Sequence, residues 1–152
     1  MIRFEKATPE DAVVLTEISK RAFDNDVNYG APGPGGPWGY DSVENQIQMI
    51  NGTPYYKILF GDAIIGGIVV IVQKDGKYNL MRMFIEPDYQ NQGIGAQAVE
   101  FIFREFPDAN VWTLDTPAWN LRTRHFYEKL GFQIDKIENN DVFYEKKVGE
   151  SG

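Results

Sequence analysis

The sequence predicts a mixed α/β (α+β) domain: a central, mostly antiparallel sheet of about seven strands, one parallel β-α-β unit and flanking helices. Three observations predict it. Apolar, β-rich runs between residues 55 and 86 are punctuated by Gly61-Asp62 and Lys74-Asp75-Gly76-Lys77, both hairpin signals. After Gly93 and Gly95, the residues Ala98, Val99, Phe101, Ile102 and Phe106 recur at helical spacing. Strand-like runs at 78–86 and 111–115 flank that helix, and such a unit pairs its strands in parallel through a right-handed crossover. At 152 residues the chain makes one domain over 1–148, with a frayed tail at 149–152.

Taken in order, residues 2–7 alternate as a first strand. Thr8-Pro9-Glu10-Asp11 then reads as an N-cap, a proline at the first helical position and acids in the first turn. Ala12, Val13, Leu15, Ile18, Ala22 and Phe23 supply one buried face to about Asp24. From 26 to 40 the density of glycine and proline leaves no regular element. Asp41-Ser42-Val43-Glu44 resembles a capping box, and Val43, Ile47 and Ile50 stripe a short helix ending at Gly52. Runs 55–60, 63–73 and 78–86 form an antiparallel meander, with Gly66-Gly67 marking a bulge or a close backbone approach. A last helix covers 119–130 and stops at Gly131; 132–137 and 142–148 then pair about Asn139-Asn140.

Composition removes several function classes. There are no cysteines, which excludes disulfides and thiolate metal sites, and one histidine, which excludes a histidine-rich one; no metal is expected. No apolar run approaches the roughly 18 residues of a membrane span, and no signal-peptide pattern is visible, so a cytoplasmic protein with no membrane partner is expected. The net charge of −7 argues against nucleic acid, whose binding depends on phosphate neutralisation, and suits a cationic amine.

The most informative stretch runs from Met81 to Ala96. Its apolar half closes at Pro87, which cannot donate to a ladder. Its polar half, Gln90 to Ala96, lies where the first N–H groups of the next helix have no intrahelical partner. Such a terminus carries partial positive charge and binds phosphate or pyrophosphate, and side chains at Gly93 and Gly95 would hold an anion off the backbone. The same glycines fit a dinucleotide fingerprint through Ala98, with Asp115 at about the right distance. Against that reading, Pro87 to Gln92 separates strand from glycines, and the preceding chain is a meander. No Gly-Lys-Ser/Thr follows, so a P-loop is excluded.

Gln90-Asn91-Gln92-Gly93-Ile94-Gly95 resembles the Gln/Arg-x-x-Gly-x-Gly/Ala signature of the GNAT superfamily of acyl-CoA-dependent N-acetyltransferases. Asn120 followed by Phe126-Tyr127-Glu128-Lys129-Leu130-Gly131-Phe132 resembles the last-helix motif of that family, in the same order. The resemblance implies that acetyl-CoA is the acyl donor and a primary amine, small-molecule or peptide, the acceptor. The main chain of Met83, Phe84 and Ile85 would then pair with pantetheine. The N–H groups of Asn91, Gln92, Gly93, Ile94, Gly95 and Ala96 would hold the pyrophosphate, with Gln90 opening the signature and Asn120 reaching the arm. Asn120 reads equally as a helix N-cap. Family members occur as monomers and as homodimers.

Amine attack on a thioester gives a tetrahedral intermediate that expels a thiolate, and an acid is needed for the departing sulfur. A phenol, with a pKa near ~10, stays protonated at neutral pH, and the family places such a tyrosine at Tyr127. For the base, Asp115 is the first choice among Asp115, Glu86 and a water chain; some family members carry a glutamate at this point. His125, between Arg122 and Arg124 in sequence, reads as solvated. The aromatics Tyr29, Trp38 and Tyr40 on the glycine-proline loop are candidates to wall the acceptor pocket, although the loop also reads as a plain surface connection. A non-catalytic acyl-CoA-binding module is the alternative, and it would not need Tyr127.

Overall fold

Tight turns with left-handed residues organise the sheet. Asp75 and Gly76 adopt φ of 58° and 75°, and Asn139 and Asn140 adopt 52° and 65°, the paired positive values that a two-residue hairpin turn requires. In the computed structural model, which describes residues 1–148, the strands are β1 (Ile2–Lys6), β2 (Tyr55–Phe60), β3 (Ala63–Val72), β4 (Lys77–Ile85), β5 (Val111–Pro117), β6 (Gln133–Glu138) and β7 (Asp141–Lys147). The helices are α1 (Ala12–Asp24), α2 (Val43–Gly52), α3 (Ile94–Glu105) and α4 (Leu121–Lys129). One seven-stranded sheet has the order β1-β2-β3-β4-β5-β7-β6, and β4 with β5 is its parallel pair. The expected mixed sheet with one β-α-β unit is present. The tail expected at 149–152 lies outside the described residues.

Local chemistry moves several boundaries. Pro9–Asp11 forms a 3-10 turn ahead of α1, and the Asp11 carboxylate accepts from the Thr8 N–H at 2.8 Å and from Lys57 at 3.0 Å. Ser42 rather than Asp41 caps α2, accepting from the Asn45 N–H at 3.2 Å. The last helix starts at Leu121, later than expected, because Asn120 turns its carbonyl oxygen onto the Thr123 N–H at 3.2 Å as the N-cap. The glycine-proline segment also contains a short 3-10 helix, Asn25–Tyr29, which its composition did not suggest.

Each face of the sheet has its own core. On one side α3 and α4 pack over Ile58, Ile68, Val70, Leu80, Trp112 and Tyr144. On the other, Leu15, Ile18 and Ala22 of α1 and Met49 of α2 cover Tyr55, Val69 and Phe84. A bulge in β4 connects the two. Val69 pairs with Arg82 but Val70 pairs with Leu80, so Met81 is an extra residue with no partner on β3. One extra residue reverses the alternation. Tyr78 and Leu80 therefore face the α3–α4 side, whereas Phe84 belongs to the α1–α2 core. Parallel pairing of β4 with β5 is confined to Lys77, Tyr78 and Asn79 against Val111, Trp112 and Thr113. Beyond the bulge, the β5-facing edge of β4 is left without a strand.

Candidate functional site

That free edge ends at a turn built for exposed N–H groups. Pro87–Tyr89 makes a 3-10 turn, Asn91 has φ 63°, and Gly93 caps α3 with φ 80°. Gln97 makes the first helical bond, to the Gly93 carbonyl at 3.2 Å. The N–H groups ahead of it have no helical acceptor, and left-handed residues in such a turn gather N–H groups into an anion-binding concavity. A Cβ on Gly93 would meet nothing within 4 Å, so this glycine faces open space and is required by its φ. Gly95 has a different reason from the one its sequence suggested. A Cβ there would stand 3.1 Å from Phe126 Cζ and 3.5 Å from Met83 Cε, so its absence lets α3 approach α4 and β4.

A cavity of about 400 Å³ continues from this turn between β4 and α4. Of the residues expected to hold the acyl donor, Met83, Phe84, Ile85 and Gln90 line it, as do Asn91, Gly93, Gly95 and Ala96. Gln92 and Ile94 are not among the lining residues. Gln92 donates to the Asp88 carbonyl at 3.2 Å, and the Ile94 side chain is in the core. Asn120 is buried beside the cavity, which its neighbour Thr123 lines.

Tyr127 also lines the cavity, at 5% exposure, with its ring edge-on to Phe126 and Phe132 at 4.9 and 5.6 Å. Its hydroxyl has no hydrogen-bond partner among the described residues. Burial pushes the phenol's pKa up, which keeps it a proton donor at neutral pH. Asp115 is placed elsewhere: it is exposed on β5, in the alternation opposite to buried Leu114 and Thr116, and it does not line the cavity. It stands against Asp141, whose carboxyl is pushed up to about 7 by the hydrogen bond to Asp115, by desolvation and by the like charge. Glu86 is occupied, with both oxygens held by Arg21 at 2.7 Å. His125 is exposed on α4.

The three loop aromatics do not line the cavity. Trp38 is 81% exposed, and the Tyr40 hydroxyl donates to Asp24 at 2.7 Å. Tyr29 lies under the Arg122 guanidinium, 3.6 Å from its ring centre. Arg122 is a site residue that sequence reasoning passed over. It donates to Gln90 Oε1 at 2.9 Å and to Asp26 at 3.2 Å, while Gln90 Nε2 donates to the Ile85 carbonyl at 2.9 Å. Arg122, Asp26 and Gln90 all border the cavity. Burial raises the Asp26 carboxyl's pKa against the pull of Arg122. Asp26 is 96 residues from Arg122, so no local pattern announced the pair.

A family model described as an acetyltransferase (GNAT) domain matches residues 52–134, which includes β4, the glycine turn, α3 and α4. The chain belongs to the GNAT acetyltransferase family. YrkN of Bacillus subtilis (strain 168), itself described as uncharacterised, is 34% identical over 106 residues, which cover 68% of this chain. The chain spans 57% of the length of that relative. Among solved structures, PaiA N-acetyltransferase from Thermoplasma acidophilum, in complex with coenzyme A, superposes with a TM-score of 0.81 at 22% identity over 97% of this chain and 99% of that one. The ribosomal-protein-S18-alanine N-acetyltransferase from Escherichia coli gives 0.76 at 18% identity, covering 100% and 97%. At these identities the two establish a common GNAT fold. Among the described residues no helix is long and apolar enough to cross a membrane, and no group of three or more acids and histidines could hold a metal ion.

Proposed function

We propose that this GNAT protein is an N-acetyltransferase that takes acetyl-CoA as donor and transfers its acetyl group to a primary amine by direct attack. The observation that carries the reading is one continuous site: the N–H turn at 91–96 opens into a cavity whose walls are the unpaired edge of β4 and Tyr127 of α4. A long ligand with an anionic middle and a flexible amide-bearing arm fits those surfaces. The N–H groups of Asn91 to Ala96 would take its pyrophosphate, with the Arg122 guanidinium alongside. The edge of β4 at Met83 to Ile85 would pair with the arm, and the amide of Asn120 would bond to it. The bound donor supplies an activated acyl thioester.

Tyr127 would donate its hydroxyl proton to the departing sulfur, the role its burial and its unpartnered oxygen suit. The incoming ammonium must also lose a proton. Asp115 remains the first candidate, reaching the site through water and acting with Asp141 rather than alone. A non-catalytic acyl-CoA-binding module would need the turn and the edge but not the buried phenol facing the cavity.

The test is titration calorimetry of the protein and of Gly93→Glu with acetyl-CoA, CoA and NADH. Binding of the two CoA compounds by the wild type and its loss in the variant, whose side chain and charge enter the turn, is the expected result. Heat from NADH alone, or a Gly93→Glu variant that binds acetyl-CoA normally, overturns the reading.

A further inference from the structure

Arg82 is an anomaly on the α1–α2 side of the sheet. The bulge at Met81 turns it onto the α1–α2 face, where it is 6% exposed. Its Nη1 donates to Asn45 Oδ1 of α2 at 3.2 Å, its Nη2 donates to the Trp38 carbonyl, and its Nε has no partner. No carboxylate among the described residues forms an ion pair with it. The nearby Tyr55 phenol, whose pKa burial pushes up, supplies no countercharge. Next to Asn45, Gln46 is fully buried; its Oε1 accepts from Tyr55 at 2.5 Å, and its Nε2 is a second donor without a partner.

Two spare donors and a positive charge are thus sealed in with no negative charge to answer them. A buried ion without its partner is costly, and so is each unpaired buried polar group. Holding a loop in place does not require that arrangement, since neutral donors or a packed methionine would do so at lower cost. Such an arrangement suits an anion, which would answer the buried charge and accept from the spare donors. Phe84, the next residue on the same face of β4, about 7 Å along the strand, lines the cavity, which Arg82 itself does not.

What covers Arg82 is a loop rather than a regular element. The segment 30–42 crosses it by a main-chain carbonyl, while the indole of Trp38 is left in solvent. Glycines permit the crossing: Gly39, at φ 78°, passes against the Asn45 side chain, and a Cβ on Gly36 would come within 2.7 Å of Phe23 Cβ. A carboxylate in place of the Trp38 carbonyl would meet the guanidinium fork with charge-assisted bonds, stronger than the neutral one it replaces.

We propose that Arg82, with Gln46, is the receptor for a carboxylate on the acceptor, so that the amine acetylated by this protein belongs to an amino acid. This rests on the acetyl-transfer reading above. The net charge of −7 favours cations at long range, but the buried patch sets what is accepted at contact.

The test compares each of a panel of free amino acids with its own decarboxylated amine, for example phenylalanine with phenethylamine and methionine with 3-(methylthio)propylamine. Binding is read by ligand-observed NMR on the free and the CoA-saturated protein, and KM and kcat are read by thiol release from acetyl-CoA. The expected result is at least one acid that binds, and is turned over, with a ten- to hundredfold advantage over its amine. Arg82→Met should remove that advantage through KM with kcat much less changed, and Arg82→Lys should restore part of it. The proposal is overturned if no acid in the panel outbinds its amine in the wild type, a comparison that needs no variant to fold. It is equally overturned if Arg82→Met lowers stability but keeps the discrimination, which would make Arg82 a loop clamp. Absence of any CoA binding would instead defeat the acetyl-transfer reading, while the NMR comparison on the free protein still decides the role of Arg82.

Discussion

At Tyr127 a single oxygen separates two roles. The ring packs between Phe126 and Phe132, and phenylalanine would keep that packing. Tyr127→Phe is therefore expected to fold and to bind CoA with unchanged affinity, while kcat falls about 10²- to 10⁴-fold, the range for losing a positioned acid. Stopped-time thiol assays beside CoA titrations check this; full turnover by the variant would remove Tyr127 from catalysis. His125 and Glu86 illustrate the converse, since one is solvated and the other is committed to Arg21. Residue type alone nominated both, and neighbours decide between such candidates.

At the scale of elements, α4 shows how a cap and a ligand contact can be separated. Asn120 Oδ1 caps the helix, whereas its amide nitrogen makes no bond to the described residues. Asn120→Asp keeps the cap oxygen and puts a negative charge where the helix dipole favours it, against the cost of burying that charge, so the melting temperature should hold or fall slightly. Loss of the amide donor, and the new charge, should weaken CoA binding by about tenfold if the nitrogen reaches the arm. An unchanged CoA affinity in the titration would leave Asn120 as a cap alone. Both readings were visible in the sequence, because Asn before a helix is ambiguous without knowing which way its nitrogen faces.

For the whole molecule, the Asp115–Asp141 contact links stability to pH. The Asp141 carboxyl sits at about 7 against an ordinary 3.8, so between these values the folded chain keeps a proton that the unfolded chain has released. That contribution is full below the ordinary value and is lost as the pH rises through about 7. Asp141→Asn should therefore melt higher than the wild type at about pH 8.5, with the gap shrinking towards about pH 4. Melting curves of the two proteins across that range measure it, and a pH-independent gap would show that the pair does not share a proton. Other carboxylates shifted the opposite way, such as Asp24, are common to both proteins and cancel in the comparison.

Local chemistry by itself determined most of the architecture. Asp75-Gly76 and Asn139-Asn140 specify tight hairpins because they tolerate positive φ, and the spacing of Ala98, Val99 and Ile102 specifies a helix. Gly93 at the start of α3 marked the N–H turn, since few other residues adopt φ 80°. Tertiary structure alone decided the faces. The unpaired Met81 reverses the alternation of β4, and nothing in the run from Tyr78 to Ile85 announces which residue is extra. With strict alternation, Arg82 would share a face with Leu80; the bulge turns it instead towards α2 and the glycine-proline loop. The same limit kept Arg122 and Asp26 apart on paper and placed Asp115 beside Asp141, partners from different segments of the chain. Patterns of period two or 3.6 record how a segment meets solvent, but an extra residue or a cross-chain partner leaves no periodic trace.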